Sequence, residues 1–286
     1  MKFLNSKLGF FFYLILQNRF VQNLISKEEM QKVHERNNEH NNFRPDYNFK
    51  DYQSGKSWTS FEKDEDYRKW LKYIPAFNRK VRILEIGPGS GYYTRFICEN
   101  ENVENYSFCE LNVNFRNYLI DNLKKLQLKK NNFNFNSFND DFLKSVNQEK
   151  YDYIFFISSF HHIPNRKEYF KKCFNSLNPK GKIIFIEPTH YIFRILTIIR
   201  KFFKIYRYYN KNDVLKSSGT HAFCTLGEFK YISKEFKGMY KLENTWIIRS
   251  KKINKIIKYI KPKFLNNFIA KNFSAEIITV FEKKSN

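Results

Sequence analysis

A glutamate and three alternating glycines have the residue types and spacing of a binding site for a small charged ligand. They occur in the order Glu85-x-Gly87-x-Gly89-x-Gly91. Residues Val81–Leu84 predict a buried strand before this turn, and residues Tyr92–Glu99 predict a helix after it. Glycines let the backbone turn sharply and approach a ligand, and a helix N-terminus offers free N–H groups and partial positive charge. The sequence therefore predicts a ligand site between this strand and this helix.

The glycine spacing narrows the class of ligand. Dinucleotide-binding folds carry G-x-G-x-x-G, and Tyr92 occupies the position of the third glycine here, which disfavours NAD and FAD. No G-K-[ST] is present, so the turn is not a P-loop. The order Glu-x-Gly-x-Gly-x-Gly resembles motif I of the class I S-adenosylmethionine-dependent methyltransferases. The resemblance implies that the turn binds the methionine part of S-adenosylmethionine, with an ordinary tight β–α turn as the alternative.

Further acidic residues occur where the resemblance places the rest of the cofactor. Glu110 ends a predicted strand roughly 20 residues past the glycines, where a carboxylate binds both ribose hydroxyls; a surface glutamate at a strand end is the alternative. Leu111 is assigned to the same site. Asp140 and Asp141 are both candidates for the adenine contact, and either is equally a cap for the helix that follows. Ser158, after the fourth predicted strand, completes the set with Glu85 and the three glycines.

The loop after the fourth predicted strand carries the candidate catalytic groups. It reads Ser158-Ser-Phe-His-His-Ile-Pro164 and resembles a sequence that many small-molecule methyltransferases carry beside the sulfonium and the methyl acceptor. His161 and His162 are candidates for a general base, because a neutral imidazole accepts a proton near pH 7. His221 is a further candidate, and packing in the loop or core is the alternative for each of the paired histidines. No histidine–carboxylate spacing repeats on one face, so no metal site is predicted.

Composition and charge limit the partners. The chain has 286 residues and a net charge of +23, which invites a nucleic-acid or membrane interpretation. Nucleic-acid methyltransferases of this fold usually carry an Asn/Asp-Pro-Pro-Tyr-like clamp for a flipped base after the fourth strand, and Ser158-Ser-Phe-His has neither the proline nor the carboxamide. Binding of nucleic acid is therefore disfavoured, and a nucleic-acid methyltransferase stays the alternative. Four scattered cysteines predict no disulfide framework and indicate a reducing compartment.

Strands and helices alternate from residue 81 onward, which predicts a doubly wound α/β fold. The predicted strands are Val81–Ile86, Tyr106–Cys109, Phe133–Asn136, Tyr153–Ile157, Lys182–Glu187, Lys241–Ile248 and Glu276–Phe281, and the predicted helices between them are Tyr92–Glu99, Asn114–Leu126 and Lys167–Leu177. The resemblance implies a seven-stranded Rossmann-like sheet that ends in an antiparallel pair. Residues 1–78 are predicted to form an N-terminal helical extension or lid. Residues 79–286 are predicted to form the methyltransferase domain, with helical insertions at about 190–235 and 249–270.

Two segments in the predicted insertions, Tyr191–Arg207 and Arg249–Lys263, have the pattern of basic amphipathic helices. Such helices suit an anionic membrane surface, and surface helices of a soluble lid have the same pattern. The apolar run Leu8–Leu16 is too short to span a bilayer. We predict a cytoplasmic enzyme, with peripheral contact to the inner face of the membrane as an option, that methylates a small-molecule or lipid-linked acceptor. The alternative from another class is a non-catalytic membrane-peripheral binding protein of the same fold. No motif specifies the oligomeric state.

Overall fold

Seven strands form one sheet at the centre of the structure, which is a computed structural model. It describes residues 58, 73–110, 112–138, 149–163, 166–188, 224, 226–248, 255, 259, 262, 264–266 and 276–285. The strands are β1 (Val81–Ile86), β2 (Val103–Cys109), β3 (Asn134–Phe138), β4 (Tyr151–Ile157), β5 (Leu177–Pro188), β6 (Tyr240–Ile247) and β7 (Glu276–Lys283). Their order across the sheet is β3-β2-β1-β4-β5-β7-β6. Strands β1 to β5 are parallel, and β7 is antiparallel to both β5 and β6. The predicted doubly wound sheet with its terminal antiparallel pair is confirmed.

The described helices connect the strands and cover both faces of the sheet. They are α1 (Tyr92–Glu99), α2 (Val113–Gln127), α3 (Arg166–Asn175) and α4 (Leu226–Ile232), with 3-10 turns at Phe160–His162 and Lys234–Phe236. Helix α2 begins where its sequence provides a cap, because the Asn112 side chain accepts hydrogen bonds from the backbone N–H groups of Asn114 and Phe115. This cap fixes the chain just after the end of β2, where Glu110 lies.

Several predicted boundaries differ from the structure. The helix predicted over Lys167–Leu177 ends at Asn175, because the Ser176 N–H closes the last turn on the carbonyls of Lys172 and Cys173 and Leu177 already pairs with β4. Strand β5, predicted to begin at Lys182, begins at Leu177, and its pairing with β4 is irregular before Lys182, with Lys180 at a φ of 63°. Strand β2 begins at Val103, three residues before the predicted start, since Val103 pairs with Val81.

An aromatic core lies on one face of the sheet and anchors the loop that follows β4. The Phe160 ring in this loop is fully buried, and its centroid lies 5.0 Å from that of Phe156, 4.6 Å from Phe185 and 5.9 Å from Phe229. These contacts bring together β4, β5 and α4. Burial of one phenylalanine contributes about 1.5–3 kcal/mol, so Phe160 holds the loop firmly against the sheet.

The second core lies on the other face and includes part of the predicted N-terminal extension. Trp58, Ile74 and Phe77 are buried in the same cluster as residues of β1, α1 and α2. The predicted boundary between residues 78 and 79 stays a prediction. Most of the predicted N-terminal extension, residues 1–57 and 59–72, lies outside the described residues, as do the segment Tyr191–Arg207 and most of Arg249–Lys263. No helix in the described ranges is long and apolar enough to cross a membrane.

Candidate active site

The carboxyl ends of four parallel strands meet at one edge of the sheet and bring the candidate residues together. Gly87 follows β1, Glu110 follows β2, Ser158 follows β4 and Glu187 lies at the end of β5. The strand ends are in register, with Ile86 opposite both Cys109 and Phe156. Ligands of open α/β sheets bind outside this edge, where the strand order reverses. The reversal here lies between β1 and β4, so the glycine turn and the loop after β4 flank the expected ligand position.

The glycine turn has a backbone that side chains would disrupt. Gly87, Gly89 and Gly91 have φ values of 68°, 58° and 74°, all left-handed. A Cβ atom on Gly87 would lie 2.8 Å from the Cβ of Ser159, and one on Gly91 would lie 2.5 Å from the Cδ1 of Leu119. Positive φ and close contact both require glycine at these two positions. The turn thus packs directly against the loop after β4.

Glu110 joins the end of β2 to the glycine turn. Its Oε2 accepts a hydrogen bond from the Gly89 N–H at 2.9 Å, and its Oε1 accepts one from the Asn112 N–H at 2.8 Å. The Arg116 guanidinium donates to the Glu110 backbone carbonyl at 3.1 Å. A carboxylate oxygen has capacity for more than one donor. Glu110 is therefore held in a fixed position with capacity to accept hydroxyl groups of a ligand.

Glu85 lies inside the core behind the turn. Its Oε2 accepts hydrogen bonds from the Thr94 hydroxyl at 2.8 Å and the Tyr106 hydroxyl at 2.7 Å, so it links β1 to α1 and β2. Burial raises the pKa of Glu85 to about 7, and the nearby Glu110 charge acts in the same direction, while the two hydroxyl donors lower it. Glu85 stabilises the scaffold of the turn, and its predicted contact with the cofactor stays a prediction.

The raised pKa of Glu85 predicts a stability that falls as pH rises. A carboxyl whose folded pKa exceeds its unfolded value favours folding below the unfolded value, near 4.5, and loses that contribution as pH rises through about 7. The difference corresponds to about 3 kcal/mol, so the thermal midpoint should decrease by several degrees between pH 5 and pH 8. Glu85→Gln should flatten this dependence, whereas Glu99→Gln, a change of an exposed residue in α1, should leave it unchanged. Equal slopes for the wild type and Glu85→Gln would contradict the role of Glu85.

The loop after β4 is held by a carboxylate on one side. Glu187 is fully buried, and its Oε1 accepts the backbone N–H groups of Ser159 at 3.0 Å and Phe160 at 2.7 Å. Its Oε2 lies 2.7 Å from Nδ1 of His161, which is itself buried. Burial raises the pKa of Glu187 to about 8, while hydrogen bonds from the backbone of Phe160, Ser159 and His161 and the charge of Arg166 lower it. One side chain thus binds three consecutive residues of the loop.

A buried guanidinium holds the same loop through its carbonyl groups. The Nε of Arg166 donates to the Phe160 carbonyl at 3.1 Å, and one terminal nitrogen donates to the His161 carbonyl at 3.0 Å. The guanidinium carbon lies 5.7 Å from the Phe160 ring centroid, within the range of a cation–π contact. Buried charges are stable only when they are hydrogen-bonded. Glu187 and Arg166 meet that condition through the polar groups of one short loop.

Ser158 begins this loop in a left-handed conformation. Its φ is 53°, its side chain is exposed, and its N–H donates to the Ile186 carbonyl at 2.8 Å. A non-glycine residue at positive φ stores strain, and such residues cluster at functional sites. His162 ends the 3-10 turn, and its side chain lies outside the described part of the structure. The remaining predicted site residues, Leu111, Asp140, Asp141 and His221, also lie outside the described residues.

Comparison with known proteins decides the family. Residues 60–229 match a family model described as a methyltransferase domain, which covers more than half of the chain. The chain is a class I S-adenosylmethionine-dependent methyltransferase. Its methyl donor is S-adenosylmethionine. A comparison with curated proteins finds none that matches this methyltransferase.

Solved structures share the fold of this methyltransferase. The plantazolicin methyltransferase BpumL in complex with S-adenosylhomocysteine (SAH) is 13% identical, with a TM-score of 0.53 over 90% of this chain and 98% of that one. A BpumL complex with a pentazolic desmethylPZN analog and SAH is 17% identical, with a TM-score of 0.51 over 91% and 100% of the two chains. A putative sarcosine dimethylglycine methyltransferase from Galdieria sulphuraria is 16% identical, with a TM-score of 0.51 over 79% and 86%.

The described residues of the methyltransferase fit its donor. A left-handed glycine turn leaves the backbone bare beside a helix N-terminus, and the Glu110 carboxylate is fixed next to it. A carboxylate at the end of the second strand is the group that a ribose diol requires. In the described ranges, no group of three or more His, Cys, Asp or Glu is placed to hold a metal ion.

Sequence reasoning missed Glu187 and Arg166. Glu187 ends a predicted strand on the same edge as Glu110, and this position was the available signal, because the carboxyl ends of parallel strands converge. Arg166 carried no comparable signal. It acts on carbonyl groups five and six residues earlier in the chain, which a spacing pattern does not reveal.

Proposed function

We propose that this methyltransferase transfers a methyl group to a small-molecule or lipid-linked acceptor, with His161 as general base. The observation that carries the proposal is the loop after β4. It presents a buried His161–Glu187 pair at the ligand edge and lacks the proline and carboxamide of a nucleic-acid base clamp. A positively charged chain without that clamp lacks the usual means of binding a flipped base.

The proposed donor contacts follow the positions of the strand ends. Glu110 would accept the ribose hydroxyls, and the turn from Gly87 to Gly91 would bind the methionine part. Ser158 would contact the donor from the loop after β4. The proposal keeps Glu85 and Leu111 in the cofactor site and Asp140 or Asp141 at the adenine.

The residues of the chain supply orientation and a proton acceptor. When bound, S-adenosylmethionine supplies an electrophilic methyl carbon, whose bond to sulfur breaks as the acceptor lone pair forms the new bond. An O–H or N–H acceptor must lose a proton, and the imidazole of His161 would accept it. Phe160 and Arg166 hold this imidazole on a rigid loop, which favours productive orientation. His162 and His221 stay alternative bases.

The names of the similar structures support an acceptor other than nucleic acid. One is a plantazolicin methyltransferase seen with a desmethylPZN analog, and another is named for sarcosine and dimethylglycine. The basic segments of the predicted insertions would favour an anionic or lipid-linked acceptor. We keep a cytoplasmic location, with or without peripheral membrane contact, as part of this proposal.

The acceptor class can be tested by following a labelled methyl group. The protein and donor labelled on the methyl carbon are incubated with three separate acceptor pools, namely a small-molecule filtrate of a cell extract, a total lipid extract, and purified RNA and DNA. We expect label in the filtrate or the lipid pool, because the loop after β4 has no base clamp. Glu110→Ala, which should not bind the donor, serves as the negative control.

Two results would overturn the proposal. Label confined to RNA or DNA would establish the nucleic-acid alternative. A strong salt dependence of the protein's affinity for RNA or DNA would support that alternative. Absence of label from all pools, in a protein that binds SAH normally, would favour the non-catalytic binding protein.

A further inference from the structure

The carboxylate of Glu187 divides its two oxygens between different tasks. Oε1 accepts the backbone N–H groups of Ser159 and Phe160, while Oε2 lies 2.7 Å from Nδ1 of His161. Arg166 binds the carbonyl groups of the same loop. Oε1 and Arg166 therefore hold the loop backbone from two sides. The contact at Oε2 reaches the side chain of His161 and sets the orientation of the imidazole.

We propose that Glu187 is a positioning residue that keeps Nδ1 of His161 protonated and so leaves Nε2 as the nitrogen that accepts a proton. An imidazole whose Nδ1–H donates to a carboxylate has its tautomer fixed by that hydrogen bond. The inference rests on the proposed role of His161 as the base and names the residue that would prepare it. The proton lost by the acceptor goes to Nε2, and the resulting imidazolium lies beside the Glu187 carboxylate.

The polar groups around Glu187 lower its pKa and so favour the carboxylate, against the burial that raises this pKa. The backbone N–H groups of Ser159 and Phe160 both point at Oε1, and hydrogen bonds to a charged acceptor are stronger than bonds to a neutral one. From α3, the Arg166 guanidinium adds positive charge. From β7, the residue opposite Glu187 is the apolar Ile277, and α4 packs Phe229 against the Phe160 ring.

The opposite placement of the proton, on Glu187 instead of on Nδ1 of His161, would also fix the tautomer, and experiment can distinguish the two placements. A protonated Glu187 would donate to Nδ1 and force the proton of a neutral His161 onto Nε2, which could then only donate. Burial raises the pKa of Glu187 to about 8, so the pair binds a proton tightly around neutral pH. The two arrangements differ in whether Nδ1 of His161 or Oε2 of Glu187, which lie 2.7 Å apart, carries this proton.

Nitrogen-15 NMR of the imidazoles decides between the two arrangements. Uniformly labelled protein is recorded in long-range proton–nitrogen spectra from pH 6 to 9, and the signal of His161 among the six histidines is identified by its loss in His161→Gln. We expect neutral His161 to be almost entirely the Nδ1–H tautomer. In Glu187→Gln it should become a mixture in which Nδ1–H is about half or less.

Control variants separate this role from a merely structural one. Gln keeps an oxygen that can accept from Ser159 and Phe160, so the thermal midpoint should change less than in Glu187→Ala. Glu276→Gln alters another buried glutamate at the same edge, opposite Pro188 and on the other face of the sheet. It should leave the tautomer of His161 unchanged. If Glu187→Gln does not fold, the wild-type spectrum alone still decides, because it shows which nitrogen is protonated.

The outcome is independent of the acceptor assay. A wild-type His161 in the Nε2–H form, or a tautomer that Glu187→Gln leaves unchanged, would overturn the inference even if methyl transfer to a small molecule is found. Failure of methyl transfer with a pure Nδ1–H tautomer would overturn the proposed function and leave the positioning contact intact.

Discussion

Glu110→Ala is expected to weaken the binding of SAH by at least about 100-fold, the largest effect among single substitutions at this site. The carboxylate accepts the N–H groups of Gly89 and Asn112 and is proposed to accept both ribose hydroxyls. Hydrogen bonds to a charged group contribute about 1.5–3 kcal/mol each. Alanine would remove the ribose contacts and also release the glycine turn from the end of β2. Isothermal titration with S-adenosylmethionine and SAH measures the loss.

Two further variants define the cause of that loss. Glu110→Gln keeps the shape of the side chain but loses the negative charge and offers an amide N–H to groups that are themselves donors, so we expect an intermediate loss. Glu104→Ala is the matched control, because Glu104 lies in β2, the strand that Glu110 follows, is partly exposed, and forms an ion pair with Lys80 far from the turn. It should bind SAH as the wild type does. Normal affinity in folded Glu110→Ala would show that the ribose site lies elsewhere.

The parts of the site that follow from local sequence were predictable. The glycine turn and Glu110 each sit at the end of a strand whose apolar run is visible in the sequence, and their separation along the chain carries the information. Contacts between side chains on neighbouring strands and loops leave no such pattern in the sequence. The pairing of His161 with Glu187 joins residues 26 positions apart and depends on the loop after β4 lying beside the end of β5.

Glu85 shows that a motif residue can be recognised in the sequence while its contacts inside the protein cannot be predicted from it. Strand side chains alternate between faces, so Glu85 points to the same side as Ile83, toward α1 and Tyr106. Strand β1 is buried on both faces, with only Arg82 exposed. Its sequence is therefore a nearly continuous apolar run in which the alternation cannot be seen. The direction of Glu85 becomes evident only once α1 and β2 are packed around it.

Gly87→Ala is expected to destabilise the protein by about 2–5 kcal/mol through two separable effects. A side chain at a φ of 68° costs about 1–2 kcal/mol, and the new methyl group would lie 2.8 Å from the Cβ of Ser159. Either the glycine turn or the loop after β4 must move to relieve that contact. Both flank the expected cofactor position, so affinity for SAH should fall together with stability. Denaturant unfolding and titration with SAH measure the two quantities.

Gly238→Ala isolates the backbone part of the effect. Gly238 also has positive φ, at 92°, but a Cβ there meets nothing within 4 Å. This variant should cost only about 1–2 kcal/mol and leave SAH binding unchanged. Equal losses in the free energy of unfolding for Gly87→Ala and Gly238→Ala would mean that the Cβ atom added at Gly87 causes no steric conflict with the loop after β4.

Ser159→Gly isolates the steric part, because it removes the Cβ atom that Gly87→Ala would meet. In a double-mutant cycle, Gly87→Ala should cost about 1–3 kcal/mol less in the Ser159→Gly background than in the wild type. The strain from positive φ should remain in both backgrounds. Recovery of SAH affinity along with stability would show that the loop bearing His161 and the glycine turn are coupled through this single contact. Purely additive losses in the free energy of unfolding would mean that the turn and the loop relax independently of each other.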